Sequence, residues 1–192
     1  MKEIVISTGN AGKVAEYKQM LEPFGYTVKC LKDFDPIEVV EDGTTFEENA
    51  LIKARALFEH TGRQTLADDS GLEIEALDNK PGIYSARWLG SDTPYSEKNA
   101  EVLRLMADKE NRKAQFTCVI AVVDNEGEHV FKGTFKGEIA KEAMGTNGFG
   151  YDPIFMIPEL KKTSAQLTHD EKNAISHRGQ ALRQAMKYLT EE

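Results

Sequence analysis

Hydrophobic and polar residues alternate along the chain in blocks that predict a succession of strands and helices. The short apolar run at residues 4–6 is typical of a buried strand, and apolar residues repeated every three or four positions indicate amphipathic helices. Thr93-Pro94 is a typical helix start, with Thr93 as N-cap. The predicted elements are strands at 2–7 and 26–31, helices at 11–22 and 46–60, short strands at 64–68 and 72–77 on either side of a turn, a helix from Thr93-Pro94 to about Ala107, a hairpin of strands 115–124 and 129–139, and a last helix with the apolar face Ala181, Leu182, Ala185, Met186 and Leu189.

This order of elements predicts an α/β fold. The chain has 192 residues, which fits a single domain and is long enough to bury a substantial core. No repeat, low-complexity tract or linker interrupts the pattern. We therefore expect residues 1–192 to form one domain, with room for two lobes.

Composition and charge argue against several classes of protein, namely nucleic-acid-coating, membrane-spanning and secreted proteins. The net charge of −8 argues against a protein that coats nucleic acid, because that function needs a basic surface that neutralises phosphates. No apolar stretch approaches the roughly 20 residues that span a bilayer, and the first ten residues lack the apolar region of a secretory signal. Cys30 and Cys118 lack metal-ligand spacing and are expected to be reduced thiols in the core. We expect a cytoplasmic protein with a small-molecule substrate and no nucleic-acid or membrane partner.

A polar turn directly after the first predicted strand is suited to binding phosphate. A helix that begins near residue 11 presents unpaired N–H groups and a partial positive charge at its start. Thr8, Asn10 and Lys13 add a hydroxyl, an amide and an ammonium group. A Walker A loop is excluded, because its first glycine and the hydroxyl residue after its lysine are missing. The alternative is an ordinary strand-to-helix turn whose polar residues cap the helix.

The segment Asp68-Asp69-Ser70-Gly71 is the strongest local indication of catalysis. Adjacent carboxylates are unfavourable unless they are solvated, hydrogen-bonded or neutralised by a cation. Mg²⁺ is the simplest such cation, because it takes a few carboxylates together with water and phosphate oxygens. The alternative is an Asx-type turn before Gly71. Candidates for a further metal ligand lie in a preceding acidic loop: Glu38, Glu41 and Asp42.

A glycine-rich segment at residues 148–152 is suited to binding a planar ligand. Two glycines flank Phe149, so the backbone can approach a base while the aromatic ring stacks on it. Asp152 can accept from or donate to a purine edge. The alternative is a glycine-rich turn with Phe149 in the core. The cations that can converge on a small anion despite the negative net charge are Lys13, Lys53, Lys172 and Arg178.

Four segments together resemble the inosine triphosphate pyrophosphatase family, whose members hydrolyse non-standard purine triphosphates. They occur in the family's order and span nearly the whole chain. The resemblance implies an elongated mixed β-sheet flanked by helices, two lobes with a central substrate cleft, and a homodimer. The segments are T-x-N-x-x-K-x-x-E at residues 8–16, TFEENALIKA at 45–54, LADDSGL at 66–72, and GTNGFGYDP at 145–153 with Ser176-His177-Arg178 downstream.

The resemblance also implies roles for individual residues. Asp69 is expected to bind Mg²⁺ and to activate water as the general base, with Glu41 as a second metal ligand and Asp68 as a further candidate. Lys53 enters the site because the segment around it resembles the family's F-x-E-N-A-x-x-K-A; Glu48 and Asn49 in that segment alternatively only cap and brace the helix. The implied substrate-binding residues are Thr8, Asn10, Lys13, Lys53, Ser70, Phe149, Gly150, Tyr151, Asp152, Lys172, His177 and Arg178.

The phosphates and the base of the substrate are expected to bind to different substrate-binding residues. Lys13 and Lys53 are suited to holding the leaving pyrophosphate. Phe149 is expected to stack on the base, and Arg178 to donate to a 6-oxo group, for which the amino group of adenine is no substitute. His177 is alternatively a helix-start residue without a ligand role.

The predicted function is hydrolysis of ITP, dITP or XTP to the nucleoside monophosphate and pyrophosphate, with Mg²⁺ as the cofactor. One alternative is a non-hydrolytic nucleotide-binding module, against which the adjacent carboxylates argue, because binding an anion gains little from added negative charge. The other alternative is a pyrophosphatase for modified pyrimidine nucleotides, which keeps the chemistry and changes the base pocket.

Overall fold

A computed structural model of the protein describes residues 2–190 and contains, in that range, five α-helices and eight β-strands. None of these helices is long and apolar enough to cross a bilayer. The helices are α1 (Ala11–Leu21), α2 (Phe46–Thr61), α3 (Tyr95–Leu105), α4 (His169–Ile175) and α5 (His177–Thr190). The strands are β1 (Lys2–Ile6), β2 (Tyr26–Cys30), β3 (Thr65–Ile74), β4 (Lys80–Pro81), β5 (Lys113–Asp124), β6 (Gly127–Ile139), β7 (Phe155–Ile157) and β8 (Lys162–Thr163).

The strands form a mixed sheet in the order β2-β1-β3-β5-β6-β7-β8, with β4 paired to β3. β1 runs parallel to β2 and to β3, whereas β4 on β3, β7 on β6 and β8 on β7 are antiparallel. Parallel neighbours need crossover connections, and the segments that contain α1 and α2 provide them. β5 and β6 follow each other across a short turn, as the sequence predicts. The predicted α/β class with a mixed sheet is confirmed.

The chain divides into two compact units, of which the first comprises, among the described residues, 2–69, 118–132 and 181–190. Its core is built on the alternation of side chains along β5. Cys118, Ile120 and Val122 pack with residues of β1, β2, α1 and α5, while Val119, Ala121 and Val123 pack with Ala50 and Ala54 of α2. This core is therefore formed by the side chains that repeat about every two residues along strands and about every 3.6 residues along helices, as the sequence predicts.

The second unit comprises residues 70–117 and 133–180. Its core is rich in aromatic side chains, and Phe155 of β7 lies at its centre. The Phe155 ring centroid is 4.5 Å from that of Phe116 and 5.1 Å from that of Phe135. Val102 of α3 and Met106, the residue directly after this helix, belong to the same cluster. This packing fixes the chain immediately after the glycine-rich segment at 148–152.

β3 is a single strand through Asp68-Asp69-Ser70-Gly71, where the sequence predicts a turn between two short strands. The prediction of a turn is wrong because contacts distant in sequence stabilise the extended backbone. The Leu72 N–H donates to Ser85 Oγ at 2.9 Å, and a Cβ on Gly71 would overlap the Gly82 carbonyl. The two aspartates are consequently buried side chains of a strand and not exposed turn residues.

α3 begins at Tyr95, with Pro94 at its N-cap, where the sequence predicts Thr93 as the cap and Pro94 as the first helical residue. The Thr93 hydroxyl donates to the Leu89 carbonyl at 2.6 Å and so stabilises the preceding turn. The helix ends at Leu105, two residues before the predicted end at Ala107. Both differences are small and leave the predicted helix in place.

Candidate active site

The turn between β1 and α1 holds its polar residues through local hydrogen bonds. Asn10 is the N-cap of α1, and its Oδ1 accepts from the Lys13 N–H at 3.1 Å. Thr8 Oγ1 accepts from the Asn10 N–H at 3.1 Å. The first turn of α1 carries no acidic residue, so no side chain of that turn offsets the positive end of the helix dipole. The capping contact is present, and anion binding by Thr8 and Asn10 stays a prediction.

Asp68 forms a buried ion pair with Lys13. The Lys13 Nζ lies 2.9 Å from Asp68 Oδ2, and the Asp68 side chain is 0% exposed. The Cys118 thiol is 3.9 Å from the same oxygen, within the range of a weak S–H donor. Asp68 thus holds the lysine that the sequence predicts for phosphate binding, and the Cys118 contact is one that sequence reasoning did not predict.

Asp69 has a different lysine, which it shares with the acidic loop. The Lys53 Nζ lies 3.0 Å from Asp69 Oδ1 and 3.0 Å from Glu41 Oε2. Lys53 therefore lies between one carboxylate from β3 and one from the loop. Of the three acidic-loop candidates, Glu41 is the one that the structure places on the cation partner of Asp69.

Helix α2 positions both the lysine and the loop. Asn49 and Lys53 are one helical turn apart and so share a face. The Asn49 Oδ1 accepts from the Gly43 N–H at 2.9 Å, and its Nδ2 approaches Asp69 Oδ2 at 3.5 Å. Glu48 lies at the helix start, where its carboxylate accepts from the Thr44 N–H at 2.6 Å. The capping alternative holds for Glu48, while Asn49 in addition ties the loop to the strand.

The pKa values of Lys53 and Asp69 follow from burial and from the charges around them. Burial is the largest influence on Lys53 and lowers its pKa, but Asp69, Asp68 and Glu41 together outweigh it, so the pKa lies above its usual value. Burial raises the pKa of Asp69 and is only partly offset by Lys53 and Lys13. A carboxylate with a raised pKa is a better proton acceptor than an ordinary aspartate.

The donors around Lys53 fit a hard divalent cation. Glu41 and Asp69 direct carboxylate oxygens at one point, and the Lys53 ammonium shows that a cation is accommodated there. Across residues 2–190 no three His, Cys, Asp or Glu side chains gather closely enough to enclose a metal. Mg²⁺ does not need such a cage, because it is commonly bound by one or two carboxylates with waters and substrate phosphate oxygens.

In the second unit, the glycine-rich segment forms a tight turn that is closed by Asp152. Gly148 and Gly150 have φ of +72° and +66°, which favour glycine. The Asp152 Oδ2 accepts from the Phe149 N–H at 2.9 Å and from the Lys172 ammonium at 2.6 Å, and a Cβ on Gly148 would overlap that oxygen. Asp152, which is buried, therefore fixes the Phe149 backbone and orients Lys172.

Phe149 is half-buried, and cations lie beside its ring. The Lys172 Nζ is 4.8 Å and the Arg178 Cζ 5.7 Å from the ring centroid. Arg178 is buried near the start of α5, and its Nη2 donates to Ser70 Oγ at 3.0 Å. Four predicted substrate-binding residues, Phe149, Lys172, Arg178 and Ser70, are thus linked to one another by contacts within the second unit.

Two other predicted substrate-binding residues occupy structural positions. The His177 ring is buried and stacks on Phe116, with centroids 4.8 Å apart. The Tyr151 hydroxyl donates to the Ser85 carbonyl at 2.7 Å, its ring meets Tyr95 edge-on, and burial raises its pKa. A ligand role for these two residues, and for Gly150, stays a prediction.

Helix α3 contributes residues that sequence reasoning missed. The Asn99 Nδ2 donates to the Gly150 carbonyl at 3.1 Å, and the Lys98 ammonium donates to the Ala86 carbonyl at 2.6 Å. A signal for Asn99 existed: it is a polar residue on the helix face of Val102 and Met106, which are both in the core. Such a side chain usually has a specific buried partner.

Comparison with known proteins identifies the family. The sequence model of the Ham1 family matches residues 4–188, which is nearly all of the chain. The chain belongs to the Ham1 family. A protein of Exiguobacterium sibiricum named dITP/XTP pyrophosphatase is 47% identical over 192 residues, with 98% of this chain and 97% of the relative covered. A protein of the same name from Halalkalibacterium halodurans is 49% identical and covers 98% of this chain and 100% of its own length.

Solved Ham1 structures agree with the fold. A HAM1 protein from Coxiella burnetii superposes with a TM-score of 0.90 at 45% identity and covers 100% of both chains. The Ham1 protein of Staphylococcus aureus gives a TM-score of 0.87 at 43% identity, with 98% of each chain covered. The Ham1 match includes every predicted site residue from Thr8 to Arg178. The family resemblance predicted from the sequence is confirmed.

Proposed function

We propose that this protein hydrolyses non-standard purine nucleoside triphosphates (ITP, dITP and XTP) to the nucleoside monophosphate and pyrophosphate. The observation that carries the proposal is the buried pair Asp68 and Asp69, in which each carboxylate has a lysine of its own. Asp69, with Lys53, supplies a proton acceptor. Asp68, with Lys13, supplies a firmly held cation. A site that cleaves a phosphate anhydride needs both. The names of the full-length relatives, dITP/XTP pyrophosphatase, support the same reaction.

In this mechanism Asp69 is the general base. It accepts a proton from a water molecule whose oxygen attacks the α-phosphorus, and the bond from that phosphorus to the bridging oxygen of the β-phosphate breaks. Lys13 and Lys53 hold the negative charge of the departing pyrophosphate. Glu41 and Asp69 would hold Mg²⁺, with Asp68 as a further candidate. When bound, Mg²⁺ neutralises phosphate charge and makes water more acidic.

The second unit is proposed to select the base. Phe149 stacks on the purine, and Asp152 and Lys172 fix the position of the Phe149 ring. Arg178 donates to the 6-oxo group of hypoxanthine or xanthine, and adenine, whose 6-amino group cannot accept that bond, is disfavoured. The contacts of Asp152 support this assignment, because its carboxylate accepts from the Phe149 N–H at 2.9 Å and pairs with Lys172 at 2.6 Å, and so holds both residues in place.

A panel of triphosphates tests the reaction. With Mg²⁺, we expect ITP, dITP and XTP to yield pyrophosphate and the monophosphate much faster than ATP, and chelation of the metal to stop turnover. Release of orthophosphate and a diphosphate would instead indicate attack at the γ-phosphorus and contradict the mechanism. Preference for a modified pyrimidine triphosphate would contradict the base assignment, and binding without product would contradict the enzyme assignment.

We further propose that the protein acts as a homodimer in the cytoplasm, with no nucleic-acid or membrane partner. The family resemblance supports the dimer, and the net charge of −8 is unfavourable for binding nucleic acid. Sedimentation equilibrium is expected to give the mass of two chains. A single-chain mass at the concentrations used for assays would contradict the dimer.

A further inference from the structure

The Lys53 ammonium occupies the position between the two carboxylates that are proposed to hold the metal. It lies 3.0 Å from Asp69 Oδ1 and 3.0 Å from Glu41 Oε2, and its side chain is only 12% exposed. The Lys53 and Asp69 side chains are largely buried, so salt screens their charges weakly, and Glu41, which is 33% exposed, places a second carboxylate on the same ammonium. In the structure, therefore, these two carboxylates already have a cation.

A divalent cation and this ammonium compete for the same oxygens. Mg²⁺ binds carboxylate oxygens at about 2.0–2.1 Å, so a metal on these two oxygens would be a few ångströms from the Nζ where it now lies. At that distance like charges repel strongly even at an effective dielectric constant of about 20. The metal can enter only if the ammonium leaves, and the ammonium leaves at low cost only if another anion receives it.

We propose that Lys53 is a built-in counter-cation that holds Glu41 and Asp69 closed to metal until the phosphates of a nucleotide draw the ammonium away. The inference rests on the proposed function, since it takes these carboxylates as the metal site. Its consequence is that the free protein binds divalent metal weakly, whereas metal and nucleotide strengthen each other's binding. Lys53 therefore has two partners in turn, the carboxylates first and the phosphates afterwards.

Lys13 provides a matched control within the same unit. It is also a lysine paired with an adjacent aspartate, at 2.9 Å, but its partner is Asp68 and not the pair of Glu41 and Asp69. If removal of any nearby positive charge strengthened metal binding, Lys13 and Lys53 would behave alike. If Lys53 competes for Glu41 and Asp69 while Lys13 keeps Asp68 from acting as a metal ligand, the two lysines would differ.

The test measures binding of Mn²⁺ alone to the full chain, without nucleotide, by electron paramagnetic resonance of the free ion. Lys53→Met is expected to bind Mn²⁺ about tenfold more tightly than the wild type, which corresponds to about 1.4 kcal/mol. Lys53→Arg, which keeps the charge, and Lys13→Met are expected to stay within about threefold of the wild type. Lys53→Gln serves as a second neutral variant if Lys53→Met fails to fold.

Asp69→Asn separates failure of this inference from failure of the proposed metal site. It is expected to weaken Mn²⁺ binding. If it does so while Lys53→Met and Lys53→Gln bind no more tightly than the wild type, or while Lys13→Met tightens binding as much, the counter-cation role is wrong and the metal site stands. If Asp69→Asn binds Mn²⁺ like the wild type, the metal site is elsewhere and both are overturned.

Discussion

At the scale of single residues, the proposed function depends on how two adjacent aspartates are made different. Asp68 pairs with Lys13 and Asp69 with Lys53, so the neighbours in sequence have separate cation partners. Burial raises the pKa of Asp69, which suits a proton acceptor. In the proposed mechanism, Asp69 accepts a proton and Asp68 holds Lys13.

Asp69→Asn is expected to reduce pyrophosphate release from ITP by at least ~10²–10⁴-fold, because it removes the general base and a metal charge. The substitution keeps the shape of the side chain in β3 but removes one of the two carboxylates that pair with the buried Lys53 ammonium, so the thermal midpoint should fall while the variant still folds. Turnover measured with the purified variant checks this, with Asp92→Asn, at an exposed position, as the control. Near-normal turnover would show that another group activates the water.

Arg178→Ala and Phe149→Ala are expected to separate recognition of the 6-substituent from stacking. Loss of a charged hydrogen bond costs about 1.5–3 kcal/mol, so Arg178→Ala should lower kcat/KM for ITP by one to two decades and affect ATP much less. Phe149→Ala should weaken the interaction with both nucleotides alike, by about 1–3 kcal/mol, because stacking on the base does not depend on the 6-substituent.

Measurement of kcat/KM for both nucleotides on both variants decides between these roles. An equal proportional loss for ITP and ATP in Arg178→Ala would mean that Arg178 binds phosphate or supports the fold through Ser70. Asp152 would then be the first candidate for reading the base.

The candidate site was predictable from sequence as a set of residue types, but its pairings were not. The adjacent carboxylates at 68–69 and the Phe149 ring between two glycines indicated their chemistry by residue type, whereas Lys53 entered the site only through the family resemblance. That Lys53 joins Asp69 to Glu41 depends on the path of a loop without regular structure. The contacts of Cys118 and Asn99 depend on which strands and turns become neighbours, which no local pattern encodes.

At the scale of elements, β3 is the largest departure from the sequence prediction. Strong turn formers lie in the middle of a strand, and contacts from distant residues determine the outcome. The hairpin, the helices at 11–22 and 46–60 and the last helix follow from periodicity, because each buries one regular face. β3 could not be predicted in this way, since the segment that stabilises Gly71 lies at residues 82–85.

Gly71→Ala is expected to destabilise the protein by about 1–3 kcal/mol, because the new methyl group would meet the Gly82 backbone, which cannot rotate away. The free energy of unfolding from urea titration measures the effect. Gly9→Ala is the matched control, since a Cβ there meets nothing within 4 Å and the stability should be unchanged. A stable Gly71→Ala protein would show that β3 tolerates a wider separation from that segment.

At the scale of the whole molecule, stability depends on contacts that join distant parts of the chain. Asp124 at the end of β5 accepts from Gln64 at 3.1 Å, from the Tyr188 hydroxyl at 3.2 Å and from the Glu126 N–H at 2.9 Å. Burial raises the pKa of Asp124, but these hydrogen bonds outweigh burial and hold it below its usual value. The carboxylate therefore contributes stability in its charged form.

Because the folded-state pKa is lowered, the contribution of Asp124 is present above the ordinary pKa of about 3.9 and is lost as pH falls through the lower folded value. We expect Asp124→Asn to be less stable than the wild type near neutral pH, and the difference to shrink in acid. Urea midpoints of both proteins across this pH range measure it. A difference that does not change with pH would mean that shape, and not charge, is what Asp124 contributes.

During synthesis the first unit can fold completely only late, because its core includes residues from both early and late parts of the chain. Its core combines Ile4 and Tyr17 with Leu182 and Leu189, and the Tyr26 hydroxyl donates to the Leu189 carbonyl at 3.0 Å. Domains generally fold as units during synthesis, but this one waits for residues made more than 150 positions after its first strand. During that wait β1 and α1 lack the helix that covers them, so the nascent chain exposes an apolar surface on which chaperones can act.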